Sequence, residues 1–153
     1  MSMVHYEGMN LDDVVRQSRW ILAVRKAKPL EKAVLVPIHE DTIRYKPFHR
    51  VFYRFEVTGT LHASDGKDLT GTTIEAAHWH TDTALECARL YQVQGIAKSP
   101  IHRDYESSAN FRKEDELILF LSGLGKDGYR FIAYESPARK DDVLASLGRL
   151  PKA

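Results

Sequence analysis

The chain has 153 residues, of which 43% are hydrophobic and 28% are charged, and this composition is typical of one globular domain rather than a disordered segment. Lys and Arg number 22 and Asp and Glu number 21, so the formal net charge of +1 provides no overall field toward nucleic acid or an anionic membrane. Cys87 is the only cysteine, so the fold cannot depend on an internal disulfide. No basic segment followed by an apolar run opens the sequence, and no apolar stretch approaches the roughly 20 residues that span a bilayer. We expect a cytoplasmic protein without a membrane partner; a secretion signal removed from a longer precursor is the alternative.

The first predicted elements are a short helix and an apolar strand. Asn10 can cap the helix, with Asp13 three residues later in the position of the capping-box acid. The run from Trp20 to Val24 is continuously apolar and too short to favour a helix. It therefore predicts a strand over about 20–26 that is buried on both faces and ends before Pro29.

Two further strands are predicted in the first half of the chain. A loose hairpin is expected over residues 34–45, interrupted by Pro37. Residues 51–60 then alternate between apolar and polar side chains, which is typical of a strand with one buried face. The Ser-Asp-Gly-Lys sequence at 64–67 indicates a turn, and the β-branched residues that follow predict a third strand over 71–78.

A helix is predicted near the middle of the chain, over residues 83–94. Thr83 is a good cap, Glu86 completes a capping box, and Gly95 ends the helix. A long polar connection over residues 96–115 follows. A loop of this length is unusual in a compact domain unless it has a function.

The last third of the chain predicts a hairpin and a terminal helix. Strands are expected over 116–122 and 129–134, with a glycine-rich turn over 123–128 between them. Ser136 can cap a helix over about 137–147, with a proline at its first position.

These elements predict a mainly β domain that occupies residues 1–153, with its core between about 11 and 134. Five strands with a helix between the third and the fourth follow the order of a five-stranded OB-like (oligonucleotide/oligosaccharide-binding) barrel, here with short N- and C-terminal helices added. An open sheet with helices on one face is the alternative. The expected core residues are Ile21, Leu22, Val24, Phe55, Val57, Leu119 and Phe131.

A set of segments between Leu11 and Tyr134 carries a family resemblance. These segments are Asp13-Val14-Val15, Ile21-Leu22-Ala23-Val24, Tyr53-Arg54-Phe55-Glu56-Val57, Gly71-Thr72-Thr73-Ile74, Glu116-Leu117-Ile118-Leu119-Phe120-Leu121 and Gly128-Tyr129-Arg130-Phe131. Their order and spacing resemble the netrin-like domain family, which includes the tissue inhibitors of metalloproteinases. The resemblance implies the barrel. It does not imply protease inhibition, because the inhibitory members present an N-terminal cysteine to the protease metal and contain many disulfides, and this chain has neither feature.

His78-Trp79-His80 is the sharpest local motif. Residues two apart on a strand point to the same side, so His78 and His80 form a candidate pair of zinc or copper ligands. No spacing in the sequence connects a third ligand to this pair. The alternative is that both histidines lie at the exposed end of a strand.

The connection after the first strand is locally basic and aromatic. Its candidate ligand-binding residues are Arg44, Tyr45, Lys46, Phe48 and Arg50. Basic groups with aromatic rings between them are typical of surfaces that bind single-stranded nucleic acid. Acidic residues occur in the same segment, and a solvated loop beside a core strand is the alternative.

The long connection at 96–115 provides a candidate protein-binding surface. Its residues for this role are His102, Arg103, Tyr105 and Phe111. Aromatic side chains among charges are typical of protein interfaces. An ordered surface segment without a binding role is the alternative.

The leading hypothesis is a non-enzymatic protein-binding module that uses its long connections, such as an inhibitor, an immunity-type partner or an assembly component. The sequence contains no nucleophile elbow and no complete phosphate-binding loop, and it implies no cofactor. A single-stranded nucleic-acid-binding OB domain is the second hypothesis, although the net charge argues against nucleic acid. A metalloprotein or enzyme that uses His78 and His80 is the third.

Overall fold

The computed structural model describes residues 10–40, 43–78, 101–102, 114–125 and 128–150. These residues form a mainly β structure with short terminal helices, as predicted. The strands are β1 (Trp20–Glu40), β2 (Ile43–Ala63), β3 (Thr73–His78), β4 (Ile101–His102), β5 (Glu116–Gly125) and β6 (Gly128–Glu135). The helices are α1 (Leu11–Gln17), a 3-10 turn (Pro137–Arg139) and α2 (Lys140–Gly148). The helix predicted at 83–94 lies outside the described residues.

Five of the strands close into a ring. The order around it is β1, β2, β3, β6 and β5, and the ring closes because β1 pairs with both β2 and β5. The pairing of β3 with β6 is parallel, and the other ring pairs are antiparallel. The short strand β4 lies outside the ring, against β2.

Alternation along the ring strands divides the buried side chains into two apolar clusters. All five ring strands contribute to the larger cluster, which includes Leu22, Phe55 and Leu119. The opposite faces of β1, β5 and β6 pack against α1 and α2 in the second cluster. All seven predicted core residues are buried, and Ile21 differs from the other six because it belongs to the second cluster.

Side-chain caps fix the N-terminal ends of both helical segments, at the residues that the sequence predicted. The Asn10 side chain accepts a hydrogen bond from the backbone N–H of Asp13, and the Asp13 carboxylate accepts one from the backbone N–H of Asn10. The Ser136 hydroxyl accepts a hydrogen bond from the N–H of Ala138. The terminal helix nevertheless begins as a 3-10 turn and becomes α-helical only at Lys140.

The first two strands are much longer than predicted. The expected strand end before Pro29 was wrong, because β1 continues to Glu40. The hairpin expected over 34–45 is present, with His39 opposite Arg44 and Ile38 opposite Tyr45, but it is the outer end of the long β1–β2 pair rather than a separate insertion.

The register shifts between Lys26 and Glu31, where β1 contains three more residues than β2, and again between Val36 and Ile38. Pro29 falls within the first irregularity, and Pro37 and Pro47 fall within the second, where a missing N–H interrupts no regular ladder bond.

Candidate functional site

The outer part of the β1–β2 pair, from Glu31 to Tyr53, forms a two-stranded arm that we call the ribbon. Pairing of β1 with β5 covers only Trp20–Arg25, and pairing of β2 with β3 covers only Tyr53–Glu56. Among the described residues, the ribbon beyond Ala33 pairs only with itself and with β4. At roughly 3.3 Å per residue, the seven residues from Val34 to the end of β1 extend about 23 Å.

The candidate ligand-binding residues of the first connection all lie on β2 rather than in a loop. In the backbone register, Arg44 is opposite His39, Tyr45 is opposite Ile38, and Phe48 is opposite Val36. Lys46 lies between them at the second register shift. The segment expected to be a solvated loop is therefore a hydrogen-bonded strand. Its pairing with β1 fixes the position of each of these residues along the ribbon.

Arg50 occupies a different environment from the one expected of a surface ligand-binding residue. Its side chain is only 6% exposed, and its backbone pairs with Val34 on one side. On the other side β4 runs parallel to β2, with His49 opposite Ile101 and Arg50 opposite His102. The structure therefore brings together one residue from each of the two connections that the sequence indicated. Of the other residues proposed for protein binding, Arg103, Tyr105 and Phe111 lie outside the described residues.

The basic residues of this region are concentrated at the base of the ribbon, since residues 31–53 alone contain four Lys or Arg and three Asp or Glu, a net charge of +1. Residues 25–54 contain eight Lys or Arg and three Asp or Glu, a net charge of +5, whereas the whole chain carries +1. The remaining residues therefore carry −4. This asymmetry was readable in the sequence, but only the pairing of β1 with β2 shows that it belongs to one structural unit.

Neighbouring carboxylates offset part of this charge at the base of the ribbon. Arg25 forms an ion pair with Glu56, and Lys32 forms one with Glu75 at 3.5 Å. The hydrogen bond from Arg25 to Glu56 raises the pKa of the Arg25 guanidinium. Both cations remain more than half exposed, so water and salt screen these pairs.

The aromatic residue Phe52, close to the base of the ribbon, is buried rather than open to a ligand. Phe52 is 1% exposed, and the Arg130 guanidinium lies 5.6 Å from its ring centre. Arg130 also donates hydrogen bonds to the backbone carbonyls of Gly128 and Tyr129. This packing anchors the ribbon to β6 and leaves the Phe52 ring unavailable for stacking with a base.

The candidate metal pair is only partly described. His78 is the last residue of β3, opposite Phe131 in the backbone register, and His80 lies outside the described residues. Within the described ranges, no group of three or more His, Cys, Asp or Glu residues could hold a metal ion.

An open cleft of about 370 Å³ lies beside the parallel pair, at the start of β3 and β6. Its lining residues are Leu69, Thr72, Thr73, Ile74, Glu75, Gly128 and Tyr129. Burial, and then the charge of Asp65, raise the pKa of the Tyr129 hydroxyl. No pattern in the sequence indicated this cleft, because it depends on where β3 and β6 stop pairing.

Comparison with known proteins adds no family to these observations. The chain matches no protein-family model, no curated protein and no solved structure. In the part of the chain that the structure describes, no helix is long and apolar enough to cross a membrane.

Proposed function

We propose that this chain is a non-enzymatic protein-binding module built on an OB-like barrel, with the ribbon and β4 as its contact surface. The observation that carries the proposal is the parallel pairing of His49–Arg50 with Ile101–His102. It places two segments that are distant in sequence side by side at the base of an extended arm. Binding surfaces commonly consist of such segments held by a rigid scaffold.

The strand order supports the OB-like assignment. Around the ring, β5 lies beside β1, and β1, β2 and β3 follow in sequence order. Three consecutive strands with a fourth that returns to lie beside the first define a Greek key. A five-stranded Greek-key barrel is the architecture of the OB fold.

The netrin-like resemblance is consistent with the same assignment. Its five strand segments fall on β1, β2, β5 and β6 and at the start of β3. We therefore include the netrin-like family in the proposal as a relationship of fold. Protease inhibition is not included, because the only cysteine of the chain is Cys87.

A single-stranded nucleic-acid-binding domain is the second candidate, and the net charge of +5 over residues 25–54 favours it. Two observations favour a protein instead. The Phe52 ring is buried beneath Arg130, so this aromatic residue of the ribbon cannot stack on a base. The sequence of the first connection also contains Glu31, Glu40 and Asp41, three negative charges that would repel a phosphate backbone.

Affinity capture from the native host tests the proposal. The bait is the full chain, compared with the variant Arg44→Gln/Lys46→Gln in the ribbon. The control is Lys67→Gln/Lys140→Gln, which removes the same charge from two exposed lysines elsewhere. We expect a protein captured by the parent and by the control, from nuclease-treated lysate, and lost with the ribbon variant.

Two outcomes would contradict the proposal. Capture that disappears on nuclease treatment, together with salt-sensitive binding of purified chain to a single-stranded oligonucleotide, would establish the second candidate. Capture of the same proteins by the ribbon variant and the parent would place the contact surface elsewhere.

A further inference from the structure

We propose that the partner engages the ribbon through an extended acidic segment, which adds as a strand to the outer edge of β1 between Lys32 and Val36. The outer edge is the side of β1 that faces away from β2. This inference rests on the proposed function, because it names the kind of segment that the same ribbon would bind. Addition of an extended peptide to a sheet edge is an established mode of protein recognition.

The outer edge of β1 is hydrogen-bonded to β5 along only part of its length. Over Trp20–Arg25 it pairs with β5, and the N–H of Lys26 adds one bond of 2.8 Å to the carbonyl of Asp115. Farther along, no strand among the described residues pairs with this side. A strand paired on one side directs alternate N–H and C=O groups to its other side, which is a template for another chain.

Exposure supports an accessible edge at the proposed position. The side chains of Lys28, Lys32 and Ala33 are exposed, and that of Val34 is half-buried. An incoming strand therefore meets side chains already in contact with water, and its approach requires no rearrangement of the ring.

The length of the docking edge follows from the register. From Lys32 opposite Phe52 to Val36 opposite Phe48, the two strands pair residue for residue without a shift. The irregularities that contain Pro29 and Pro37 bound this stretch on both sides. Five residues of regular strand span about 16 Å, which is enough for a short added strand.

Charge complementarity identifies the occupant as acidic. Residues 28–36 carry a net charge of +1, from Lys28, Lys32 and Glu31, and both lysines are exposed beside the proposed edge. The ion pair with Glu75 leaves Lys32 57% exposed. The sequence between Lys32 and Val36 is otherwise apolar. A segment that alternates acidic and apolar residues would match both properties, since opposite charges on neighbouring strands attract and apolar side chains pack together.

The opposite edge of the ribbon already accepts a strand from a distant part of the chain. There Ile101–His102 pairs with His49–Arg50, about 50 residues earlier in the sequence. Strand addition on the β1 side would repeat this arrangement with a segment from another protein.

The test uses fluorescence anisotropy with the full chain and defined peptides at low salt. The probe is the labelled peptide Glu-Val-Glu-Val-Glu-Val-Glu, and its charge control replaces every Glu with Lys. Two further peptides carry N-methyl groups, one on its Val residues and the other on its inner Glu residues. N-methylation removes backbone donors from one side of an added strand and leaves the charge unchanged. We expect saturable binding of the acidic peptide, at least tenfold weaker binding of one methylated isomer, and no binding of the Lys peptide.

Protein variants locate the edge. Lys28→Gln/Lys32→Gln should weaken binding of the acidic peptide at least fivefold, whereas the control Lys67→Gln/Lys140→Gln should bind like the parent. Thermal melting of each variant separates loss of binding from loss of folding. If the double variant at 28 and 32 melts early, the two methylated peptides still decide the outcome with the parent chain.

Several results would overturn the inference. These are no saturable binding of the acidic peptide, equal binding of both methylated isomers and the parent peptide, or equal binding of the Lys peptide. Tighter binding of a single-stranded oligonucleotide, or a dimer lost in the Lys28→Gln/Lys32→Gln variant, would assign the edge to nucleic acid or to a second copy. If capture of a protein partner depends on the ribbon while methylation has no effect, the proposed function stands and strand addition is wrong.

Discussion

The hydroxyl of Ser146 donates a hydrogen bond to the carboxylate of Asp12, although 134 positions separate the two residues in the sequence. Ser146 is fully buried in α2, and Arg149 adds a second hydrogen bond to the same carboxylate at 2.7 Å. Beneath this contact, Val15 of α1 and Val143 of α2 belong to one apolar cluster. The hydrogen bonds to Asp12 and the apolar cluster that contains Val15 and Val143 therefore both join α1 to α2.

The contact between Ser146 and Asp12 predicts an acid-dependent contribution to stability. The Ser146 hydroxyl, and then Arg149, lower the pKa of Asp12 below its ordinary value of 3.8. Because the pKa is lower in the folded state, the ionised carboxylate stabilises the fold above pH 3.8, and this contribution disappears as the pH falls through the folded-state pKa. We expect Asp12→Asn to melt below the parent at pH 7 and level with it in strong acid. Melting temperatures across this range measure the effect, with the exposed Glu114→Gln as the control. A difference that is constant with pH would contradict the prediction.

The burial of Leu119 in the core predicts that truncating this side chain strongly lowers the stability of the fold. This residue is fully buried and lies opposite both Leu22 and Tyr134 in the sheet. Leu119→Ala should lower the free energy of unfolding by about 2–5 kcal/mol, because it removes buried apolar area and leaves a cavity. Leu124→Ala is the matched control, since Leu124 is 57% exposed and should change stability by no more than about 0.5 kcal/mol. Urea denaturation of both variants measures the difference; similar losses would mean that the region around Leu119 collapses to fill the cavity.

Patterns of local sequence predicted the strands and the buried residues well. The apolar run at 20–24 and the alternation at 51–60 specify burial through side-chain direction alone, and Asn10 and Ser136 cap the helices through contacts within three residues. The same local patterns wrongly predicted that the first strand ends before Pro29, whereas β1 continues to Glu40. Whether a proline fits in a strand depends on the register with the partner strand, and the sequence around the proline does not contain this information.

The candidate site was harder to predict than the fold. The basic residues of the first connection were visible in the sequence, but the burial of Arg50 and its position beside His102 depend on pairing between segments about 50 residues apart. The open edge beyond Arg25 depends on where β5 stops pairing with β1. These are properties of long-range register, which a single sequence without related sequences does not specify.

Gly128 predicts a second stability effect, located where β6 begins. Its φ of +146° lies in a region that favours glycine, and an added Cβ would lie 2.9 Å from Cε1 of Phe52 and 3.0 Å from the carbonyl oxygen of Glu75. Gly128→Ala should destabilise the fold by at least about 1–3 kcal/mol from backbone strain, and by more because of the contacts. Gly66→Ala separates the two causes, since Gly66 has a φ of +75° with no atom within 4 Å of an added Cβ. Equal losses in the two variants, measured by urea denaturation, would show that the Phe52 ring and the Glu75 carbonyl both move aside without cost.

The last prediction concerns the aromatic residues of the second connection, Tyr105 and Phe111, which lie outside the described residues. If this connection continues the surface that β4 begins beside the ribbon, these rings should act as interface anchors, since aromatic residues dominate the binding energy of protein contacts. We expect Tyr105→Ala/Phe111→Ala to leave the thermal transition nearly unchanged and to abolish partner capture. The control Leu124→Ala/Leu144→Ala removes two exposed apolar side chains elsewhere and should retain capture. An aromatic double variant that unfolds would assign the rings to the core, whereas one that folds and captures every partner of the parent would confine the contact surface to the ribbon.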